Sequence, residues 1–453
     1  MSSTVVYKFG GTSLADAGCF QQVKDIILAS PDRVIAVVSA IVGVTDSLIA
    51  ACKAAMGSSP TYLQILEDIK AKHTKVALDL GVSLEIEADI ENLKVVLKSV
   101  FLTGLLSRGI ENYVSGYGEV LSMRLLASLM AEQAGPLDAR DFLTIASAES
   151  TILQILWEES AEKLALLDTP TKHMIMTGFI CRTADGKMAT LRRNGSDYSA
   201  SIIAKLSKAK SLTIWKEVNG VLSADPRICP SARLVPELTY DEAAELTYFG
   251  AKVLHPLTMI PAIEASIPIY VKNTSQPLLA GTIISSQKSI DSGLAGVSFV
   301  NNLAIINIEG CAMLGVPEIA EKVFGAVKQV ASNVYLISQA SSGHSLSIVV
   351  LEIEANAVIE KIKDSLYREI IEHQLDRITA IRPVSILAAV GEKLKHWIGF
   401  AAQFFTALSK SEVNIIAIAQ DSSERNLTIV VNQEDLPRAL RNVHDCFFPP
   451  IAN

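Results

Sequence analysis

The last third of this chain repeats itself, and the repeat limits the possible folds more than any other feature. Asn333-Val-Tyr-Leu-Ile-Ser-Gln339-Ala-Ser-Ser aligns with Asn414-Ile-Ile-Ala-Ile-Ala-Gln420-Asp-Ser-Ser at an offset of 81 residues (420 − 339 = 81). The same offset pairs Gly310 with Gly391, Phe324 with Phe405, and the strand-like run Leu346–Leu351 with Leu427–Val431. Each copy reads strand, glycine-containing loop, helix, strand, tight loop, strand. Such a register, held over about a hundred residues, is not a chance match, and two copies are too few for a solenoid. A pair of small α+β domains side by side is the expected outcome.

The first third has a different grammar. Val5–Phe9 is a short apolar strand, Asp16–Ala29 has helical spacing, Arg33–Ser39 is a second β-branched strand, and Gly43-Val44-Thr45-Asp46 leads into another helix. Alternation of this kind predicts an α/β domain with a mostly parallel, open sheet between helices. Ligands of such sheets bind outside the carboxyl ends of the strands. Residues 60–133 are mainly helical and read as an insertion or lid. Strand-like segments return at His173–Cys181, Ser211–Trp215 and Ile267–Lys272, and the polar stretch Ser285–Gly296 marks the main boundary. The expected organisation is a first domain at 1–285, a linker at 286–298, and repeats at 299–378 and 379–453, with strands free to be exchanged between the repeats.

Composition narrows the class. With 453 residues, 49% hydrophobic and 19% charged, the chain can bury large cores. At roughly 100–200 residues per domain, two to four domains are expected. The net charge of −8 argues against a general nucleic-acid binder. No apolar run approaches the roughly 20 residues that cross a bilayer. Met1-Ser2-Ser3-Thr4 has no basic region followed by an apolar core, so no signal peptide is expected. The cysteines at 19, 52, 181, 229, 311 and 446 form no C-x-x-C pair, and the seven histidines show no ligand spacing. Reduced thiols in a cytoplasmic protein, with no protein-held metal, are expected.

The chemistry is concentrated in short motifs. Lys8-Phe9-Gly10-Gly11-Thr12-Ser13 follows the first strand. Glycines there let the backbone approach an anion closely. Thr12 and Ser13 can cap a helix whose N-terminus favours negative charge, and Lys8 adds a cation suited to phosphate. Gly-Gly alone reads as a simple tight turn. It is not a G-x-x-x-x-G-K-[ST] loop, and Gly116-Tyr117-Gly118 lacks the third glycine of a dinucleotide fingerprint. Taken whole, K-F-G-G-T-S resembles the opening motif of aspartate kinases. Ser39 and Thr45 resemble that family's S-A-x-x-x-x-T segment, and Gly118-Glu119 its G-E-x-L-S. Arg193-Asn194-Gly195-Ser196-Asp197-Tyr198-Ser199-Ala200 is similar to its R-G-G-S-D-Y-S-A. Asp225-Pro226-Arg227 and Gly250-Ala251-Lys252-Val253-Leu254-His255-Pro256 resemble two further signatures.

The resemblance spans essentially the whole chain and implies an amino-acid-kinase fold followed by two ACT-like, ferredoxin-like domains. It implies transfer of the ATP γ-phosphoryl group, with Mg²⁺, to the side-chain carboxylate of aspartate. Lys8 and Lys252 would meet the phosphates. Arg193 would grip a substrate carboxylate with its planar fork, and Glu119 would face the substrate ammonium. Asp197 would hold the lysines, help with the metal, or simply cap a helix. Ser39, Thr45 and Ser196 would offer hydroxyls to the substrate. Gly10, Gly11, Thr12, Ser13, Lys216, Glu217, Leu222 and Arg227 would lie on the nucleotide side. A carboxylate nucleophile is already ionised at neutral pH and needs no general base. His255, before Pro256, is expected to be structural.

The repeats resemble effector-binding ACT pairs, with Asn333, Gln339, Asn414 and Gln420 as the residues offered to threonine or lysine. A homodimer or higher oligomer through the repeats is expected. A dimerisation module without ligand fits the repeat as well. The C-terminal third is similar to the threonine-sensitive class often fused to homoserine dehydrogenase. With the chain ending at Asn453, a free-standing, separately encoded or truncated kinase half is expected.

The sequence also departs from the family pattern. Lys216-Glu217-Val218-Asn219-Gly220 stands where T-D-V-D-G is usual, Leu222 replaces an aromatic residue, and Arg192 replaces a glycine. Two other readings follow: an amino-acid sensor or pseudokinase with an altered nucleotide pocket, and a kinase for a different acid or phosphoryl donor.

Overall fold

The structure is a computed structural model. It describes residues 3–150, 153–167, 171–192, 194–250, 254–288, 293–310, 317–330, 332–339, 345–420 and 422–449. Arg193 and Lys252, both named above, lie outside the described residues. The chain folds as two units, 1–221 with 253–288, and 222–252 with 289–453.

In the first unit, β1 (Thr4–Phe9) and β2 (Arg33–Val38) flank α1 (Ala17–Leu28). The helix starts on Asp16, whose carboxylate accepts the Cys19 N–H at 2.9 Å. Thr12–Leu14 forms a separate 3-10 turn without a side-chain cap. Thr12 and Ser13 therefore do not supply the expected cap, because Asp16, three residues after Ser13, satisfies the orphan donors at the helix start. The stretch read as mainly helical is α2 (Val44–Met56), α3 (Thr61–Leu80), α4 (Glu87–Thr103), α5 (Arg108–Ser115) and α6 (Tyr117–Met130).

Then come β3 (Ala134–Leu137), β4 (Thr144–Ile145), α7 (Trp157–Leu166), β5 (His173–Thr177), β6 (Ile180–Thr183), β7 (Met188–Thr190), α8 (Gly195–Leu206) and β8 (Leu212–Lys216). The run His173–Cys181, read as one strand, is broken between β5 and β6. Phe179 turns the chain with φ +64°. A Cβ on Gly178 would sit 2.7 Å from Ser196 Cβ and 2.8 Å from the Val38 carbonyl oxygen. After an excursion holding β9 (Glu237–Thr239) and α9 (Tyr240–Tyr248), the unit is completed by α10 (Pro256–Glu264), β10 (Ile269–Asn273) and β11 (Thr282–Ser285).

The sheet order within this unit is β3-β5-β2-β1-β8-β10-β11, parallel throughout except for the antiparallel β10–β11 pair. β4, β6 and β7 form a small separate sheet. One face of the main sheet, carrying Val5, Phe9, Ala36 and Trp215, packs into a core with Phe20, Val23 and Ile27 of α1. α6 lies on the sheet at β2, β3 and β5, and α3 and α4 pack outside it on α2. The opposite face of β1, β2 and β8 is covered by α8.

The second unit shows the repeat directly. It contains β12 (Gly296–Glu309), α11 (Pro317–Val330), β13 (Leu336–Gln339), β14 (Ser345–Leu351), α12 (Ala355–Ser365) and α13 (Tyr367–Ile371). The second copy holds β15 (Arg377–Val390), α14 (Phe400–Lys410), β16 (Ala417–Ala419), β17 (Asn426–Asn432) and α15 (Leu436–Phe447). The strand pairs β12/β15 and β14/β17 start and end 81 residues apart, from Gly296 to Arg377 and from Ser345 to Asn426. Each copy also ends in a helix that the sequence reading did not include. The six strands form one sheet, β13-β14-β12-β15-β17-β16, whose centre is the long antiparallel β12–β15 pair.

The 222–252 excursion is stitched to the second copy by polar side chains. Buried Glu242 closes a capping box with Thr239 and accepts the Glu392 N–H at 2.9 Å. Asn426 donates to Glu245 at 2.7 Å, and Ser223 Oγ meets His444 Nε2 at 2.8 Å. Ala224 and Cys229 join the apolar core of that copy. Among the described residues no helix is long and apolar enough to cross a membrane.

Candidate active site

A cavity of about 720 Å³ opens at the carboxyl ends of the central strands of the first unit. It is lined by Lys8, Gly11, Thr12, Ser39, Thr45, Glu119, Ser196 and Asp197 among others. Residues from four separate stretches of sequence thus meet in one place. The strand alternation explains how: β1 delivers Lys8, the turn after β2 delivers Ser39, the first turn of α2 delivers Thr45, α6 delivers Glu119, and the first turn of α8 delivers Ser196 and Asp197. Gly11 lets the β1 loop pass close to the β2 loop. A Cβ there would sit 2.9 Å from the Ala40 carbonyl oxygen.

One pole of the cavity is ionic. Lys8 Nζ and Asp197 Oδ1 are 2.7 Å apart, with both side chains about 10% exposed. Burial pushes the Asp197 carboxyl up, but the charges of Lys8 and Lys216, the Lys8 hydrogen bond and His255 outweigh it, so the group sits below its ordinary value. Lys216 does not line the cavity, yet it belongs to this cluster. Burial lowers its pKa, as does the Lys8 charge, against the opposing pull of Asp197. Asp197 is not the N-cap of α8. Asn194 holds that position, with φ +58°.

The other pole is a lone acid. Glu119 is 3% exposed and lies in the first turn of α6. Its Oε2 has no hydrogen-bond partner. Burial pushes its carboxyl up to about 8, against the opposing effects of the Ala40 N–H, its own N–H and the Lys8 charge. Burial thus favours the protonated form of Glu119 at neutral pH, and a cation placed beside it would favour ionisation.

The remaining expected site residues are dispersed. Gly10 sits beside Lys8 Nζ, 3.5 Å from where its own Cβ would be. Buried Ser13 meets Thr274 Oγ1 at 3.0 Å. Glu217 is exposed. Leu222 and Arg227 belong to the second unit. There Leu222 bridges to Leu234, and the Arg227 guanidinium is engaged by Asp225. Asn333, Gln339, Asn414 and Gln420 are all exposed. Arg192, where the family pattern has glycine, takes φ +63°, a backbone region that glycine enters freely and a bulky side chain does not. Its guanidinium donates to the Ser150 carbonyl and lines the cavity.

The cavity also gathers Asp46, Glu111, Asn112, Phe179 and Thr190, which sequence reasoning missed. Thr190 Oγ1 donates to Asn112 Oδ1 at 3.0 Å, tying β7 to α5. Asp46, Glu111 and Asn112 are polar helix residues that read as solvent-facing, and Phe179 and Thr190 stand outside the short motifs, so no signal in a single sequence marks them. His255, read as structural, lies near enough to act on the charge of Asp197.

Comparison with known proteins agrees with this architecture. Residues 3–273 match the amino acid kinase family, and residues 306–366 and 387–447 each match an ACT domain. Aspartokinase 2, chloroplastic, of Arabidopsis thaliana is 30% identical over 464 residues, covering 98% of this chain and 84% of that protein. The chain belongs to the aspartokinase family. Bifunctional aspartokinase/homoserine dehydrogenase 1, chloroplastic, of the same plant is 38% identical over 465 residues, covering 98% of this chain and 51% of that protein. The chain thus spans about half the length of the bifunctional relatives it matches. Crystal structures of E. coli aspartokinase III, one with aspartate and ADP and one with lysine and aspartate, share the fold with a TM-score of 0.79 at 26% identity. They cover 98% of this chain, which spans 100% and 99% of theirs. The family assignment accounts for a kinase α/β domain followed by ACT domains.

Proposed function

We propose that this chain is an aspartate kinase. It transfers the γ-phosphoryl group of ATP to the side-chain carboxylate of L-aspartate, giving 4-phospho-L-aspartate and ADP, the first step toward lysine, threonine and methionine. The observation that carries this is one cavity with a buried Lys8–Asp197 ion pair at one pole and, at the other, the buried acid Glu119, whose Oε2 lacks a hydrogen-bond partner. Two anions must meet in such a reaction, and the protein's work is positioning and charge neutralisation.

In the proposed complex a carboxylate oxygen of aspartate attacks the γ-phosphorus in line as the bond to the β,γ-bridging oxygen breaks. The electrons of that bond leave with ADP. Lys8 neutralises phosphate charge, joined by Lys252, and Asp197 fixes the Lys8 ammonium in place. Glu119 ionises against the substrate ammonium, Arg193 grips its α-carboxylate, and Ser39, Thr45 and Ser196 supply hydroxyls. Gly10, Gly11, Thr12 and Ser13 are proposed to face the nucleotide, with Glu217 on the same side. Among the described residues no three His, Cys, Asp or Glu side chains cluster as metal ligands. Mg²⁺ is proposed to arrive as Mg-ATP, held mainly by phosphates and waters.

The ACT repeats are proposed to bind an amino-acid effector, threonine or lysine, near Asn333, Gln339, Asn414 and Gln420, and to assemble the chain as a homodimer or larger oligomer. A cytoplasmic setting is also proposed, in keeping with the free thiols of Cys19, Cys52, Cys181, Cys229 and Cys446. The test of activity is incubation with Mg-ATP and aspartate while trapping acyl phosphate with hydroxylamine. Aspartyl hydroxamate is expected, and its absence at every nucleotide concentration contradicts the assignment. For the repeats, threonine or lysine should raise the melting temperature by binding the folded state, and Gln339→Ala should reduce that shift. If neither amino acid moves it, the repeats serve assembly alone.

A further inference from the structure

The loop between β2 and α2 walls the cavity from Ser39 to Gly43, with Thr45 just beyond. Its first half is pinned from two sides. The Ser39 N–H donates to the Phe9 carbonyl at 3.2 Å, and the Ala40 N–H supports the Glu119 carboxyl against its burial. Gly11 presses on the Ala40 carbonyl from the β1 side. From α6, a Cβ on Gly118 would sit 2.6 Å from Ala40 Cβ and 3.1 Å from Val44 Cγ1.

The second half has a weaker hold. A turn from the Ile41 carbonyl to the Val44 N–H, 3.0 Å long, closes it. Gly43 is the N-cap of α2, with φ +79°, and has no side chain to accept from the free N–H groups of the helix. Glycine also restricts the backbone least. The first intrahelical bond of α2 runs from the Ser47 N–H to the Gly43 carbonyl, so the Val42 carbonyl lies outside that ladder. Lys72, on α3, reaches it, and its Nζ donates to the Val42 oxygen at 2.6 Å. Lys72 is half-buried and precedes His73, which α3 buries together with Ile69 and Val76. Its main chain is thus seated in the packed helical layer. The charged head bonds the loop exactly at the junction between Ala40 and Thr45.

Lys72 is not among the residues lining the cavity, so it acts through the loop and not on a ligand. A shift at Val42 carries Ala40, two residues before it, and Thr45, three residues after it. Both belong to the pole around Glu119. The Lys8–Asp197 pair is held between β1 and α8 and involves no residue of α3. We infer that Lys72 is a positioning residue for the proposed aspartate pole, holding the Val42 carbonyl so that Ser39, Ala40 and Thr45 keep their places against Glu119. The inference rests on the aspartate kinase reading for the ligand, but not for the loop itself.

The experiment compares wild type, Lys72→Met, Lys72→Arg and Lys75→Met, the last removing an exposed charge from the same helix. Hydrogen exchange of the free proteins reads the loop, and the hydroxamate assay reads the ligands. Lys72→Met should speed amide exchange across residues 39–46. It should raise the KM for aspartate about 3- to 10-fold, as for one lost charge-assisted hydrogen bond at a partly exposed place. Its kcat and its KM for ATP should stay within about twofold of wild type. Lys72→Arg, which can still donate to a carbonyl, should restore both the exchange and the KM, and Lys75→Met should change neither. Lys72→Gln takes the place of Lys72→Met if the latter does not fold. Unchanged exchange, an unchanged KM for aspartate, an equal rise in both KM values, or the same effect from Lys75→Met overturns the inference. If exchange responds to Lys72 while wild type forms no aspartyl hydroxamate, the loop anchor stands and the kinase reading falls.

Discussion

Asp197 and Glu119 are both buried carboxylates in the first turn of a helix, and both line one cavity. Asp197, 8% exposed, is held below its ordinary value between two lysines. Glu119, 3% exposed, has an unpartnered oxygen and is pushed up to about 8. Burial sets a similar cost at both places, so partners decide the charge state. The pole proposed for phosphate has its carboxylate ion-paired with Lys8 at 2.7 Å, which favours the ionised form. At the opposite pole burial favours the protonated acid, and on the proposed reading the substrate ammonium draws it to ionise.

The largest effect that could break this comparison comes from the ionic pole. Lys8→Ala removes one partner of a buried pair, which costs about 3–5 kcal/mol when the other charge is left behind. It also takes away phosphate neutralisation, so turnover should fall by about a thousandfold or more. Chemical denaturation and the hydroxamate assay read the two effects, and surviving activity would take Lys8 out of the phosphate site. Glu119→Gln comes next. It should raise the KM for aspartate by about 2 kcal/mol or more in binding energy, the usual loss from one half of a buried charge pair. The KM for ATP should hold steady, and an equal rise in both would erase the distinction between the poles.

Stability against pH sharpens the contrast further. Glu119 has a folded pKa of about 8 against an ordinary 4.5, so the folded state binds more protons than the unfolded chain between these values. Stability without ligand should therefore fall as pH rises from about 4.5 to about 8 and level off above that range. Asp197 works in the opposite sense. Its depressed value contributes stability at neutral pH that is lost as the solution becomes acid enough to protonate it. Urea unfolding at pH 6 and 8.5 should show the Glu119 slope in wild type and not in Glu119→Gln. The smallest effect is local. Arg192→Gly relieves a left-handed residue and should stabilise the fold by about 1 kcal/mol, less whatever the Ser150 contact contributes. A loss of stability would mean that the guanidinium contact outweighs the backbone strain.

Much of this was legible in the sequence because it is periodic or local. The 81-residue register seen at Gln339 and Gln420 recurs at the ends of β12 and β15, since a repeated pattern must fold into repeated elements. The βα alternation implied the parallel sheet, and its strand ends bring Lys8 of β1, Ser39 and Thr45 into one cavity with Glu119, Ser196 and Asp197. Capping was less legible. Thr12, Ser13 and Asp16 are all good caps by chemistry, and only the backbone path selects Asp16. Long-range matters were not legible at all. Nothing near Lys216 in sequence announces Asp197, and nothing in 222–252 announces that Glu242 and Ser223 pack with residues more than a hundred positions away.

The two-pole account is tested most directly by the protons released when aspartate binds. Titration of the ADP-bound enzyme with aspartate at pH 7, in buffers of different ionisation enthalpy, should show about one proton released per site as Glu119 ionises against the substrate ammonium. Glu119→Gln should release none. Heats that do not depend on the buffer in wild type would mean that Glu119 does not receive the ammonium, and the contrast between the poles would not describe how this site works.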